Sequence, residues 1–96
     1  MSDVITTAVA ALNTKIGSDG FDGSAKFVIQ GEGAVMVDSD GARAGDEDAD
    51  VTLTADAETF EAMMSGDQDP TAAFMTGKLS VDGDMGLAMK LGSLLS

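Results

Sequence analysis

The stretch that most constrains the fold is residues 85–95, MGLAMKLGSLL. On a helical wheel, Gly86, Lys90 and Ser93 share one narrow arc. Leu87, Leu94, Leu91, Leu95, Ala88, Met85 and Met89 occupy the remainder, an apolar arc of roughly 200° where a surface helix needs only about 100°. A helix with that much apolar surface has to bury a second side. The sequence leaves three ways to do so: a sheet plus a ligand, a sheet plus a second subunit, or a central place in the core.

The rest of the chain supplies elements for such a helix to cover. Residues 3–16 place Ile5, Val9, Leu12 and Ile16 on one stripe, with Asp3 as the expected cap and Gly17 as the expected stop. After the turn cluster SDGFDG the period changes to two. SAKFVIQ and AVMVDS, separated by Gly31-Glu32-Gly33, read as a hairpin. A brief strand is expected at Ala42–Ala44, then an acidic loop, GDEDAD, and then VTLT with Val51 and Leu53 on one face. Asp56 opens a helix with Phe60, Met63 and Met64 spaced i, i+3, i+4, and Gly66 ends it. Asp69-Pro70 starts a second short helix carrying Ala73, Phe74 and Met75, because proline suits a first helical turn whose N–H has no intrahelical partner. KLSVD is the last strand, and Asp84 caps the closing helix.

Ninety-six residues form one domain, 1–96, with little core to spare. With four phenylalanines and no tryptophan or tyrosine, aliphatic residues and methionine have to fill it, and methionine adapts to irregular space. Seventeen acids against five bases give a net charge of -12, which repels phosphate backbones and anionic surfaces and argues against nucleic-acid binding. The N-terminal stretch lacks the basic start and continuous apolar run of a secretory signal, and no run is long enough to span a membrane; a cytoplasmic protein without stable membrane insertion is expected.

The chain has no histidine and no cysteine, so a serine or threonine nucleophile lacks the usual imidazole base and thiol chemistry is excluded. The acids lie in turn-like segments where nothing tunes them for acid–base work, and no enzyme is expected. The acidic loops fail the calcium-loop register: counted from Asp38 the glycine position holds Arg43, and from Asp46 it holds Val51. GEG and DGDMG lack a phosphate-binding pattern. No cofactor or metal is expected.

At residues 72–91, AAFMTGKLSVDGDMGLAMKL, the chain resembles the sterol carrier protein 2 family of small lipid-binding domains. The resemblance runs through Ala73-Phe74-Met75, Gly77-Lys78-Leu79, Val81, Gly83-Asp84 and Ala88-Met89-Lys90-Leu91. The preceding DVTLTADAETFEAMMSGDQDP is similar to the family's strand–helix–helix segment. The resemblance implies an α+β fold, with a five-stranded, largely antiparallel twisted sheet covered on one face by helices that enclose an apolar cavity. It further implies an intracellular carrier that binds a fatty acid, fatty acyl ester or sterol-like lipid non-covalently, as a monomer rather than a dimer. The expected lipid-binding residues are Phe60, Met63, Met64, Phe74, Met75, Met85, Met89, Leu91 and Leu95. The alternative reading is a non-catalytic interaction or dimerisation module that uses the C-terminal helix.

Overall fold

The computed structural model of the chain describes residues 3–17 and 20–95, Leu95 by its backbone alone. Ser18 and Asp19 of the expected turn therefore lie outside the described residues. The elements are α1 (Asp3–Ile16), β1 (Ala25–Gln30), β2 (Gly33–Asp38), β3 (Gly41–Ala44), β4 (Val51–Asp56), α2 (Ala57–Ser65), α3 (Pro70–Met75), β5 (Leu79–Gly83) and α4 (Met85–Leu95).

The five strands make one sheet in the order β3-β2-β1-β4-β5. Three pairings are antiparallel, and β1 with β4 is parallel. The parallel pair arises because the chain finishes the β1–β2–β3 meander at one edge and has to return past two strands before laying β4 beside β1. Residues 45–50 make that return. Gly45 N donates to Ala34 O at 3.1 Å, and Lys26 Nζ donates to Asp46 Oδ1 at 2.9 Å. Lys26 pairs with Met36, and Met36 packs near Gly45, so the acidic loop lies on the face opposite the helices and buries Met36 there. The solvated loop expected from sequence has a structural task on that face.

The other face is the core. Registers place Ala25, Phe27 and Ile29 of β1 beside Val51, Leu53 and Ala55 of β4, and Phe27 beside Val35 of β2. All of these are buried, while their alternating neighbours are half-buried or exposed, the period-two pattern of a sheet with one covered face. α1 lies over β2 and β3, α2 over β1 and β4, and α4 over β4 and β5. Phe60 of α2 meets Phe27 edge-to-face, ring centroids 5.2 Å apart at 73°, a geometry that aligns ring edge with ring face.

α1 buries Ile5, Ala8, Leu12 and Ile16, three of them on the expected stripe, with Val9 half-buried against the core. Asp3, expected as the cap, is itself the first helical residue, where its charge favours the helix N-terminus. Asn13 on the solvent side does further work. Its Nδ2 donates to Ala42 O at 3.0 Å and its Oδ1 accepts from Ala42 N at 2.8 Å. The amide thereby satisfies backbone groups of the edge strand β3, which an exposed edge would offer to another chain.

Candidate functional site

The site is a groove between α3 and α4, floored by the end of the sheet. Local chemistry sets each wall. Asp69 caps α3, its Oδ2 accepting from Ala72 N at 3.0 Å, with Pro70 in the first turn. The helix stops after Met75, where Gly77 takes a positive φ of 82° and Lys78 N donates back to Ala73 O at 2.9 Å. Those six residues deliver Pro70, Thr71, Phe74 and Met75 to the groove. β5 then pairs with β4, Leu53 beside Val81 and Ala55 beside Leu79, so Leu53, Leu79 and Val81 form the floor. Asp84 turns the chain into α4, its Oδ1 accepting from Leu87 N at 3.2 Å, and α4 presents Met85, Ala88, Met89 and Gly92 from the opposite side.

The cavity measures about 290 Å³. Its floor is dry: Leu53 and Leu79 are 2% and 3% exposed. Its rim is open: Phe74 is 43%, Met75 79%, Met85 46% and Met89 73% exposed. Toward the other end the helices converge, a Cβ at Gly92 lying 3.8 Å from Pro70 Cβ. Thr71 carries the single polar side chain of the lining, and no titratable group is among the lining residues. Such a surface offers apolar contact and one hydroxyl, with nothing to neutralise a buried charge.

Of the residues expected from sequence, the structure brings Phe74, Met75, Met85 and Met89 together here. Phe60, Met63 and Leu91 do not line this groove; at 2%, 0% and 0% exposure they are core. Leu91 sits on the side of α4 turned to the core, about 160° around the helix from Met89. Met64 lies elsewhere, on a second groove of about 330 Å³ between α1 and α2 that Phe60 also borders and whose wall includes Glu61. The Leu95 side chain lies outside the described residues. Sequence reading missed the floor residues Leu53, Leu79 and Val81 and the small residues Ala88 and Gly92. Strand alternation marked Leu53 as inward-facing, but not as lying beneath the gap between two helices.

Among the described residues two carboxylates are perturbed, both outside the groove. The Arg43 guanidinium, 2.8 Å from Asp38 Oδ2, holds the Asp38 carboxyl below its ordinary value. Asp56 is lowered chiefly by the backbone N–H of Thr59, which it accepts at 2.7 Å as the cap of α2. Among the described residues no group of three or more acids is placed to hold a metal, and no helix is long and apolar enough to cross a membrane.

Comparison with known proteins identifies the family and the fold. Residues 7–96 match the SCP-2 sterol transfer family. "Sterol carrier protein 2" of Rattus norvegicus is 45% identical over 67 residues, 70% of this chain and 11% of that protein. "Hydroxysteroid dehydrogenase-like protein 2" of Danio rerio is 40% identical over 79 residues, 74% of this chain and 19% of that protein. The chain thus spans about a fifth or less of these relatives. Among solved structures, sterol carrier protein 2 of Aedes aegypti, in complex with the C16 fatty acid palmitate, superposes with a TM-score of 0.79 at 21% identity, covering 100% of this chain and 97% of that one. The fold is shared along the whole chain, and with the sequence match from residue 7 to residue 96 it follows that the chain belongs to the SCP-2 sterol transfer family.

Proposed function

We propose that this chain is a non-catalytic lipid carrier that binds one fatty acyl chain in the groove between α3 and α4, with Phe74, Met75, Met85 and Met89 around the tail. The observation that carries the reading is an apolar groove of about 290 Å³ with an open rim and no charged lining. That volume lies just below the ~300–1,000 Å³ typical of ligand sites, which favours a single chain over a four-ring sterol. Methionine walls suit acyl chains of differing shape, since their unbranched side chains repack at low cost. The headgroup stays at the mouth, where water solvates it. The palmitate complex of the similarly folded mosquito protein supports the same ligand class.

The test is titration with a fluorescent fatty acid, followed by displacement with palmitate and with cholesterol. Stoichiometric binding with palmitate the better competitor is the expected result. Met89→Asp, at an exposed rim position that tolerates a charge in the free protein, should weaken binding at least about tenfold by setting a carboxylate against the tail. Absence of saturable binding by wild type, or unchanged affinity in folded Met89→Asp, would overturn the assignment.

A further inference from the structure

Methionine is the side chain that a peroxide reaches first in this protein, since the sequence holds no cysteine to react ahead of it and no tryptophan, tyrosine or histidine. The described methionines differ in access. Met75 is 79% and Met89 73% exposed, and Met85 is also exposed. Met64 is half-buried, and Met36 and Met63 are buried. The three accessible thioethers all line the groove between α3 and α4. Oxidation follows access, so the side chains that oxidise first are those that meet a bound tail. The groove also gives an added oxygen almost nothing to bond, because Thr71 carries the single polar side chain of its lining.

We infer that Met75, Met85 and Met89 form a redox switch on the groove, which holds a lipid tail while they are thioethers and releases it once hydrogen peroxide converts them to sulfoxides. The inference rests on the lipid-carrier reading of that groove. In each step the sulfur lone pair attacks one peroxide oxygen, so the S–O bond forms as the O–O bond breaks. The sulfur-bound hydroxyl passes its proton to the departing hydroxide, which leaves as water. Sulfur loses two electrons and the peroxide gains them, and thioether plus hydrogen peroxide becomes sulfoxide plus water. The product carries a polar S=O group where the thioether was apolar. Packed against an acyl chain that oxygen is unpaired, and turned to water it draws the side chain off the tail; either way binding weakens. The fold is spared, because none of the three belongs to the core. A dithiol reverses the change through a sulfoxide reductase: the two thiols become a disulfide and the sulfoxide oxygen leaves as water.

The experiment treats the full chain with millimolar hydrogen peroxide, maps sulfoxide at each methionine by peptide mass spectrometry, and titrates a fluorescent fatty acid before and after. Met75 and Met89 should oxidise about tenfold or more faster than Met36 and Met63, with Met85 between. Affinity should fall about tenfold or more once the three are converted, while thermal unfolding stays cooperative. Methionine sulfoxide reductases with dithiothreitol should restore binding. The variant Met75→Leu/Met85→Leu/Met89→Leu, compared only with itself, should change in affinity by less than about twofold on the same treatment. Unchanged binding by wild type with all three oxidised overturns the switch and leaves the carrier reading standing. So does oxidation of Met36 and Met63 as fast as the rim, a loss that persists in the leucine variant, or a loss that remains after the reductases have removed the sulfoxides. Untreated protein without saturable binding overturns the carrier reading and the switch with it.

Discussion

Replacing Gly92 with leucine should separate the groove from the fold, because its effects on stability and on binding have opposite signs. Gly92 lies in α4 and lines the groove. A Cβ there meets Pro70 Cβ at 3.8 Å, an ordinary contact, and its φ is not left-handed. Leucine therefore fits the backbone and restores helix propensity that glycine forfeits, about 0.5 kcal/mol near a helix end against ~1 kcal/mol in the interior. In a domain of this size that raises Tm by about 2–4 °C. The added side chain fills the narrow end of the groove and displaces roughly three to four methylenes of a bound tail. At ~0.8 kcal/mol each, the loss is about 2–3 kcal/mol, or 30- to 150-fold in Kd. Thermal denaturation of ligand-free protein and fluorescent fatty-acid titration read the two effects independently. A stabilised Gly92→Leu protein that binds with wild-type affinity would refute placement of the ligand beside Gly92.

Other substitutions sort core from groove. Phe60→Ala should cost about 3–5 kcal/mol in denaturant unfolding because it empties a buried position against Phe27, whereas Phe74→Ala should cost under ~1 kcal/mol and weaken fatty-acid binding instead. Gly83→Ala should destabilise by about 2 kcal/mol or more: its φ is +111°, and a Cβ would clash with Asp50 O. Asn13→Ala, which uncouples α1 from the β3 edge, should lower stability by about 1–2 kcal/mol in the same unfolding assay. Asp38 and Asp56 are depressed in the folded state, so their contributions are complete above the ordinary carboxylate value of 3.8 and vanish as pH falls through the lower folded values. Unfolding midpoints measured from pH 5 downward should therefore fall less steeply in Asp56→Asn, which keeps a capping oxygen but does not titrate.

Much of the frame was legible because its signals are local. Asp56, Asp69 and Asp84 cap helices where the sequence placed caps, and Gly66 ends α2 in the left-handed region, with φ 89°. The hairpin at Gly31-Glu32 and the inward Val51 and Leu53 follow from turn chemistry and alternation. The excess apolar arc of α4 predicted two buried sides; the structure buries one, through Ala88 and Leu91, and leaves the other exposed at the groove rim through Met85 and Met89. What the wheel did not carry was which side is which. Periodicity fixes a residue's angle about its own helix, and only tertiary packing fixes that angle relative to the sheet. Phe60, Met63 and Leu91 were accordingly expected among the lipid-binding residues, and the structure buries all three in the core. The parallel β1–β4 pair was equally hidden, since it depends on where residues 45–50 cross and not on any pattern within the strands.

The most direct test of the lipid groove is methionine ε-methyl NMR during titration with palmitate, because the methionines sample each environment separately. Met75, Met85 and Met89 line the groove, Met63 is core, Met36 lies under the acidic loop, and Met64 borders the second groove. Saturable shifts at Met75, Met85 and Met89, with Met36 and Met63 unmoved, are the expected result. Shifts confined to Met64, or no saturable shift at any of the groove methionines, would contradict the account.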